Sequence, residues 1–232
     1  MAFVIVSLYA NKSSAQVLIS ILLGESLNTE KIEFGLEGGF NQSFLKDIPE
    51  SKGLTNFNLG FYFHIKLKES NTYFSTGVLV KSNVGAKNIN PYVIGEEHLD
   101  SLYLEDGSVT RKIGYFYVPV MIHRRFNQRF FLEGGVQLGL RNKAQDIFKA
   151  DVLGNPLEYT IDIGDQYKRL DAGLIIGGAY KLKRKPKSMA IGLNYYYGLM
   201  NVLKEGDQEL RNSSIYLYVK IPIRAGKQEE ME

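Results

Sequence analysis

Along most of this chain apolar and polar residues alternate one for one, the periodicity of strands with one dry and one wet face. In 31–45, Ile32, Phe34, Leu36 and Phe40 alternate with Glu33, Gly35, Glu37, Gly39 and Asn41. In 55–68, Phe57, Leu59, Phe61, Phe63, Ile65 and Leu67 alternate with Asn58, Gly60, Tyr62, His64, Lys66 and Lys68. The same rhythm predicts strands over 72–82, 112–125, 129–141, 168–183, 188–201 and 213–224, eight in all. The connections after the second, fourth and sixth strands are tight (69–71, 126–128 and 184–187). Those after the first, third, fifth and seventh are longer (46–54, 83–111, 142–167 and 202–212).

Short turns at one end and long loops at the other are the layout of an up-and-down barrel held across an outer membrane, and an even strand count agrees with it. A soluble sandwich has no reason to sort its loops by length. The expected fold is therefore all-β: an eight-stranded antiparallel up-and-down transmembrane β-barrel with short periplasmic turns and long extracellular loops. Its outward set is Phe, Leu, Ile and Val. Its inward set is glycine, tyrosine and charge, with Glu33, Glu37, His64, Lys66, Glu133, Asp171 and Lys220 pointing to the inside. A soluble lipocalin-like lipid-binding barrel, the alternative, needs the reverse polarity. An eight-stranded ring is just wide enough for side chains to fill, so the inward charges should pair across it. Pro119 and Pro222, which cannot donate to a ladder, should mark a bulge or a strand end.

Composition sharpens this picture. Tyr (15) and Phe (13) without Trp, together with 23 Gly, favour strands over helices. No run of 18 apolar residues exists, which excludes a helical membrane bundle. A mean hydropathy of −0.15 is compatible with strands that show lipid only every second residue. The absence of Cys removes disulfides, thiolate metal sites, a Cys nucleophile and a lipidated N-terminal Cys. A net charge of +3 gives no basic face for nucleic acid. The tight turns are basic (Lys66, Arg124, Arg125, Arg129, Lys183, Arg184, Lys185, Lys187), and acids gather in the long loops (Glu96, Glu97, Asp100, Glu105, Asp106).

The chain divides into a signal peptide over 1–15, a lead-in segment over 16–30, the barrel domain over 31–224 and a polar C-terminal tail over 225–232. The apolar stretch to Ala10 and small Ser13 and Ala15 place cleavage at Ala15–Gln16, although no Lys or Arg precedes the apolar stretch.

Reactive chemistry is sparse. His64, His98 and His123 are distant in sequence and fit no H-E-x-x-H pattern, so no metal site is expected. His98 beside Glu96, Glu97 and Asp100 reads as a solvated acidic loop. Ser75 and Ser82 are nucleophiles only in residue type, which leaves a lipid A-modifying enzyme as the weakest alternative. The run Gly173 to Gly178 opens no helix and lacks the Lys-Ser/Thr of a phosphate loop. No catalytic, cofactor or metal residue is assigned, and no cofactor is expected.

Several stretches resemble the outer-membrane β-barrel domain of Bacteroidetes-type bacteria, of the PorT-like kind: Phe34-Gly35-Leu36-Glu37-Gly38-Gly39, Tyr117-Val118-Pro119-Val120, Phe131-Leu132-Glu133-Gly134-Gly135, Asp171-Ala172-Gly173-Leu174 and Tyr197-Gly198-Leu199. The resemblance covers about 31–224 and also takes in the Ala15-Gln16 junction. It departs at the end, where Ile223 is followed by a polar tail in place of a terminal aromatic. The resemblance implies a non-enzymatic outer-membrane protein, structural or associated with secretion or adhesion, that acts through its long loops. Its expected partners are outer-membrane lipids and lipopolysaccharide, the barrel assembly machinery and a protein met by the loops.

Overall fold

The computed structural model describes residue 29 and residues 31–223, apart from 47, 49, 68–70, 96, 153–154, 186 and 207–208. The expected signal peptide, nearly all of the lead-in and the C-terminal tail lie outside the described residues. The strands are β1 (Ile32–Lys46), β2 (Lys52–Lys66), β3 (Thr72–Ile89), β4 (Ser108–Arg125), β5 (Phe130–Val152), β6 (Asn155–Asp162), β7 (Leu170–Lys181), β8 (Ala190–Gly198) and β9 (Arg211–Pro222). Among the described residues one α-helix, α1 (Glu97–Asp106), lies between β3 and β4. Among the described residues no helix is long and apolar enough to cross a membrane.

Every neighbouring pair is antiparallel, and the order β4-β3-β2-β1-β9-β8-β7-β5 closes on itself through a β4–β5 pairing. Eight strands thus form a ring without a free edge, which satisfies the backbone inside a bilayer. The first and last strands seal it along Gly35↔Pro222 to Lys46↔Arg211.

Polarity follows the expected sense. Leu36, Phe40, Phe57, Leu59, Phe116, Val118, Leu138, Leu174, Ile176, Leu193, Ile215 and Leu217 are exposed on the outside, whereas Glu33, His64, Glu133, Asp171 and Lys220 are buried inside. Phe126, Phe130 and Tyr180 stand exposed near the short-turn end, as an interfacial aromatic belt requires.

Tyrosines fill the narrow lumen by leaning over glycines on the neighbouring strand. A Cβ at Gly35 would fall 2.5 Å from the Tyr62 ring, one at Gly139 2.5 Å from Tyr117, and one at Gly192 2.4 Å from Tyr218. Each of these glycines is the register partner of its tyrosine.

Three expectations need correction. Much of the sequence expected as loops 46–54, 83–111 and 142–167 is strand: β1 and β2 leave only 47–51 between them, and β3, β4 and β5 run on by several residues. Buried Ser43 shows why, since its Oγ accepts from the Gly85 N–H (2.9 Å) and donates to the Leu54 carbonyl (3.0 Å), tying β1, β2 and β3 together beyond the apolar alternation. Second, a ninth strand, β6, pairs only with the far end of β5 and stands outside the ring. Third, Pro222 ends β9 as expected, but Pro119 causes no bulge. The β3–β4 register passes from Thr76↔Val120 to Leu79↔Tyr117 without a shift, and Thr76 Oγ1 donates to the Pro119 carbonyl at 2.9 Å.

Candidate functional site

Closure of the ring brings the inward polar residues into one stacked network. Nearest the short turns, Glu33 of β1 receives Arg125 Nη2 of β4 at 3.1 Å, Tyr62 Oη of β2 at 3.1 Å and Lys181 Nζ of β7 at 3.5 Å. Arg125 also donates from Nε to His123 Nε2 (3.3 Å) and from Nη1 to Tyr73 Oη (3.1 Å), and it lies 4.0 Å over the Tyr73 ring. One layer deeper, Glu133 of β5 accepts from Lys220 Nζ (3.2 Å), Asn194 Nδ2 (2.8 Å) and Tyr218 Oη (2.8 Å). Glu37 adds a second carboxylate 3.7 Å from Lys220. Each buried charge therefore meets an opposite one from across the lumen, which offsets the large cost of removing it from water.

Above this lie two layers held by hydrogen bonds. Asn41 and Ser82 both donate to Asn58 Oδ1 at 3.0 Å. Asp171 accepts from Asn212 Nδ2 (2.8 Å) and Tyr117 Oη (3.2 Å), with Tyr115, Tyr196 and Tyr216 buried around it. The long-loop end is closed by a dry cluster in which Tyr103 of α1 packs on Phe148 of β5 together with Val109, Ile113, Ala144, Tyr167, Val202 and Leu210. At its margin Arg111 grips Asp146 with two hydrogen bonds (2.8 and 2.5 Å), and Tyr92 Oη donates to the same carboxylate at 2.9 Å. Burial, then the charge of Asp146, raises the Tyr92 phenol above its ordinary value. Burial pushes Tyr167 up to about 12.

Of the residues expected inside, Glu33, Glu37, His64, Glu133 and Lys220 join one ionic network, Asp171 sits apart in the tyrosine layer, and Lys66 lies partly exposed at the short-turn end. Ser75 is the register partner of His64, yet neither nitrogen of His64 has a hydrogen-bond partner, so no activated hydroxyl results. Ser82 is spent on Asn58. The side chain of His98 lies outside the described residues. Asp100 of its acidic stretch accepts from the N–H groups of Ile94 (2.6 Å) and Gly95 (3.1 Å) and so holds the loop ahead of α1.

The meeting of His64 and His123 was not legible from their separation in sequence. Their rings lie 4.4 Å apart, with His123 stacked on Phe131 at 3.9 Å and opposite Glu133 in register. The one available signal was parity, which sends His123 inward with Tyr117 and Met121. Parity alone does not say which inward residues meet.

The family described as the outer membrane protein beta-barrel domain matches residues 13–204. Among solved structures, Ail of Yersinia pestis, determined with the heparin analogue sucrose octasulfate, is similar at 11% identity and a TM-score of 0.44, over 82% of this chain and 97% of that one. Neisserial surface protein A is similar at 10% identity and a TM-score of 0.39, over 82% and 96%. No curated protein matches the chain. The match over most of the sequence, on a closed eight-stranded ring with an apolar exterior, places this chain in the outer membrane β-barrel domain family and the protein in the outer membrane.

Proposed function

We propose that the protein is a non-enzymatic barrel that displays a binding surface outside the cell, serving adhesion or secretion. The observation that carries this reading is the free edge of β6. β6 pairs on one side with Gln145–Val152 of β5, and among the described residues no strand lies on the other. An unpaired edge is a template for an incoming strand, whose main-chain hydrogen bonds supply affinity and whose alternate side chains supply specificity. β6 offers exposed Glu158, Tyr159 and Thr160. Among the described residues the stacked ion pairs and tyrosines fill the lumen, which supports a closed barrel rather than a channel.

The glycine–aromatic stretches in β1, β4, β5, β7 and β8 support assignment to the PorT-like group. The apolar start and the Ala15-Gln16 junction support export by residues 1–15, lead-in and tail flanking the barrel, and insertion by the barrel assembly machinery. The apolar belt supports lipid and lipopolysaccharide as its surroundings.

The test uses the cysteine-free background. A single cysteine at Glu158 should react with a membrane-impermeant maleimide on intact cells, and a photo-crosslinker at the same position should capture a surface partner. Proline at Tyr159 and Thr160 should abolish capture without changing heat-modifiable migration. Unreactive Glu158→Cys on intact cells, or capture indifferent to the prolines, would overturn the reading.

A further inference from the structure

We propose that His64, His123 and Glu133 form a binding site for a divalent transition-metal ion of the zinc type inside the barrel wall. One ligand atom from each residue lies within 4.8 Å of the others, and all three side chains are buried. An ion with bonds of about 2.0–2.1 Å in tetrahedral geometry sets its ligand atoms roughly 3.3 Å apart. His123 Nδ1 and Glu133 Oε2 already stand 3.7 Å from each other. Only His64 has further to move, and its neighbour across β3 is Ser75, too small to obstruct the ring.

A second observation points to a ligand. Both nitrogens of His64 and Nδ1 of His123 are buried without a hydrogen-bond partner. His64 Nδ1 stands 3.7 Å from Glu33 Oε1, beyond hydrogen-bond reach. Buried polar atoms in native proteins are nearly always satisfied, and two adjacent imidazoles left short beside a carboxylate share one remedy, a cation at their lone pairs. Imidazole with carboxylate selects zinc-like ions over calcium and magnesium, which take oxygen. Glu33 Oε1 or a water would complete the fourth position.

The charges facing the site decide how the ion is accommodated. Lys220, Arg125 and Lys181 are matched by Glu33, Glu37 and Glu133, so a divalent ion adds two positive charges to a balanced set, and one cation must give up its carboxylate to it. Lys220 is the one that can yield, since Glu37 holds it from the other side at 3.7 Å when Glu133 turns to the metal. Ligation at Nδ1 shifts the His123 proton to Nε2 and costs the 3.3 Å contact from Arg125, which keeps Glu33 and Tyr73. Because the site is sealed, the ion enters while the barrel closes. The proposal is independent of how the β6 edge is used.

The full chain is refolded into detergent with zinc or cobalt(II) in slight excess, desalted and analysed for metal and visible absorption. The expected result is one ion retained per chain, with the intense visible bands of four-coordinate cobalt. His64→Gln and His123→Gln should each weaken retention by more than the roughly 10–100-fold that loss of an outer-shell partner costs. Both should keep heat-modifiable migration, and His98→Ala should retain the ion in full. His64→Phe, which removes the donor but keeps a ring, guards against a glutamine variant that fails to close. Wild-type protein that retains no ion, or retention unaffected by the His64 and His123 changes, would overturn the site.

Discussion

Between Phe130 and Leu140, strand β5 turns Phe130, Leu132, Val136, Leu138 and Leu140 outward and keeps Glu133, Gln137 and glycine within. Beyond Asn142 the same strand buries Ala144, Phe148 and Ala150 and turns Lys143, Gln145 and Lys149 outward. β4 changes likewise, from Tyr115, Tyr117 and His123 inside to Val109 and Ile113 inside, with Ser108, Thr110 and Lys112 on the other face. The lower region is inverted and faces lipid; the upper is an ordinary water-soluble core built on continuations of the same strands. The change falls at register irregularities, at the extra residue Asn142 of β5 facing Gly114 and Tyr115 of β4, and between Leu79 and Ser82 on β3. A residue inserted in one strand re-aims the side chains that follow. Where outward side chains cease to be apolar, the hydrocarbon ends.

The largest effect should come from removing the charge that organises the lower region. Glu133→Leu takes their acceptor from Asn194 and Tyr218 and the nearer of its two carboxylates from Lys220, in a fully buried layer. Leaving a buried partner uncompensated costs about 3–5 kcal/mol. Urea unfolding in lipid vesicles should show a midpoint lowered accordingly, and an unchanged midpoint would mean that water already solvates the lumen.

Next comes the lipid face. Leu138→Arg places a cation on the outward apolar row at mid-strand, where the expected loss is about 2–4 kcal/mol. The same vesicle titration reads it, and repeating it in bilayers of different thickness locates the depth. Smaller again is Gly139→Ala. The new methyl would meet the Tyr117 ring at 2.5 Å and force it from its slot. Overpacking of this kind costs about 1–3 kcal/mol. Gly139→Ala with Tyr117→Phe should not recover it, because the ring and not the hydroxyl is in the way.

The lower region was legible in the sequence because period two, glycine and charge all told the same story there. Phe57 to Leu67 and Ile215 to Ile223 needed no tertiary information. The upper region was read as loop for a physical reason. Ala144, Asp146 and Phe148 stay in the even phase of Leu138 and Leu140, and only the extra residue Asn142, set by pairing with β4, turns them inward, so Asp146 reads as the end of an outward apolar row. β6 was missed although Leu157, Tyr159 and Ile161 alternate with Pro156, Glu158, Thr160 and Asp162, because three apolar positions beside a proline are too few to separate a short strand from a loop. Within the candidate site, parity revealed that Glu33, His64, Glu133 and Lys220 point inward. It could not reveal that His64 reaches His123, since that contact depends on which strands the ring sets side by side and on Ser75 being small.

The smallest effect is the sharpest test of where the two regions divide. Ile147 lies on the outer row of β5, as Leu138 does, but beyond the Arg141–Asn142 irregularity, opposite Thr110 on β4 and Thr160 on β6. Both partners are polar and reach water. If the hydrocarbon stops below this level, Ile147→Arg exchanges a partly exposed apolar residue for one whose charge stays hydrated, and the midpoint should change by about 0.5 kcal/mol or less. If the bilayer covered this row as well, the penalty would approach that of Leu138→Arg. The two substitutions are identical in chemistry and sit on one face of one strand, so the difference between their midpoints measures the change of solvent between them and nothing else.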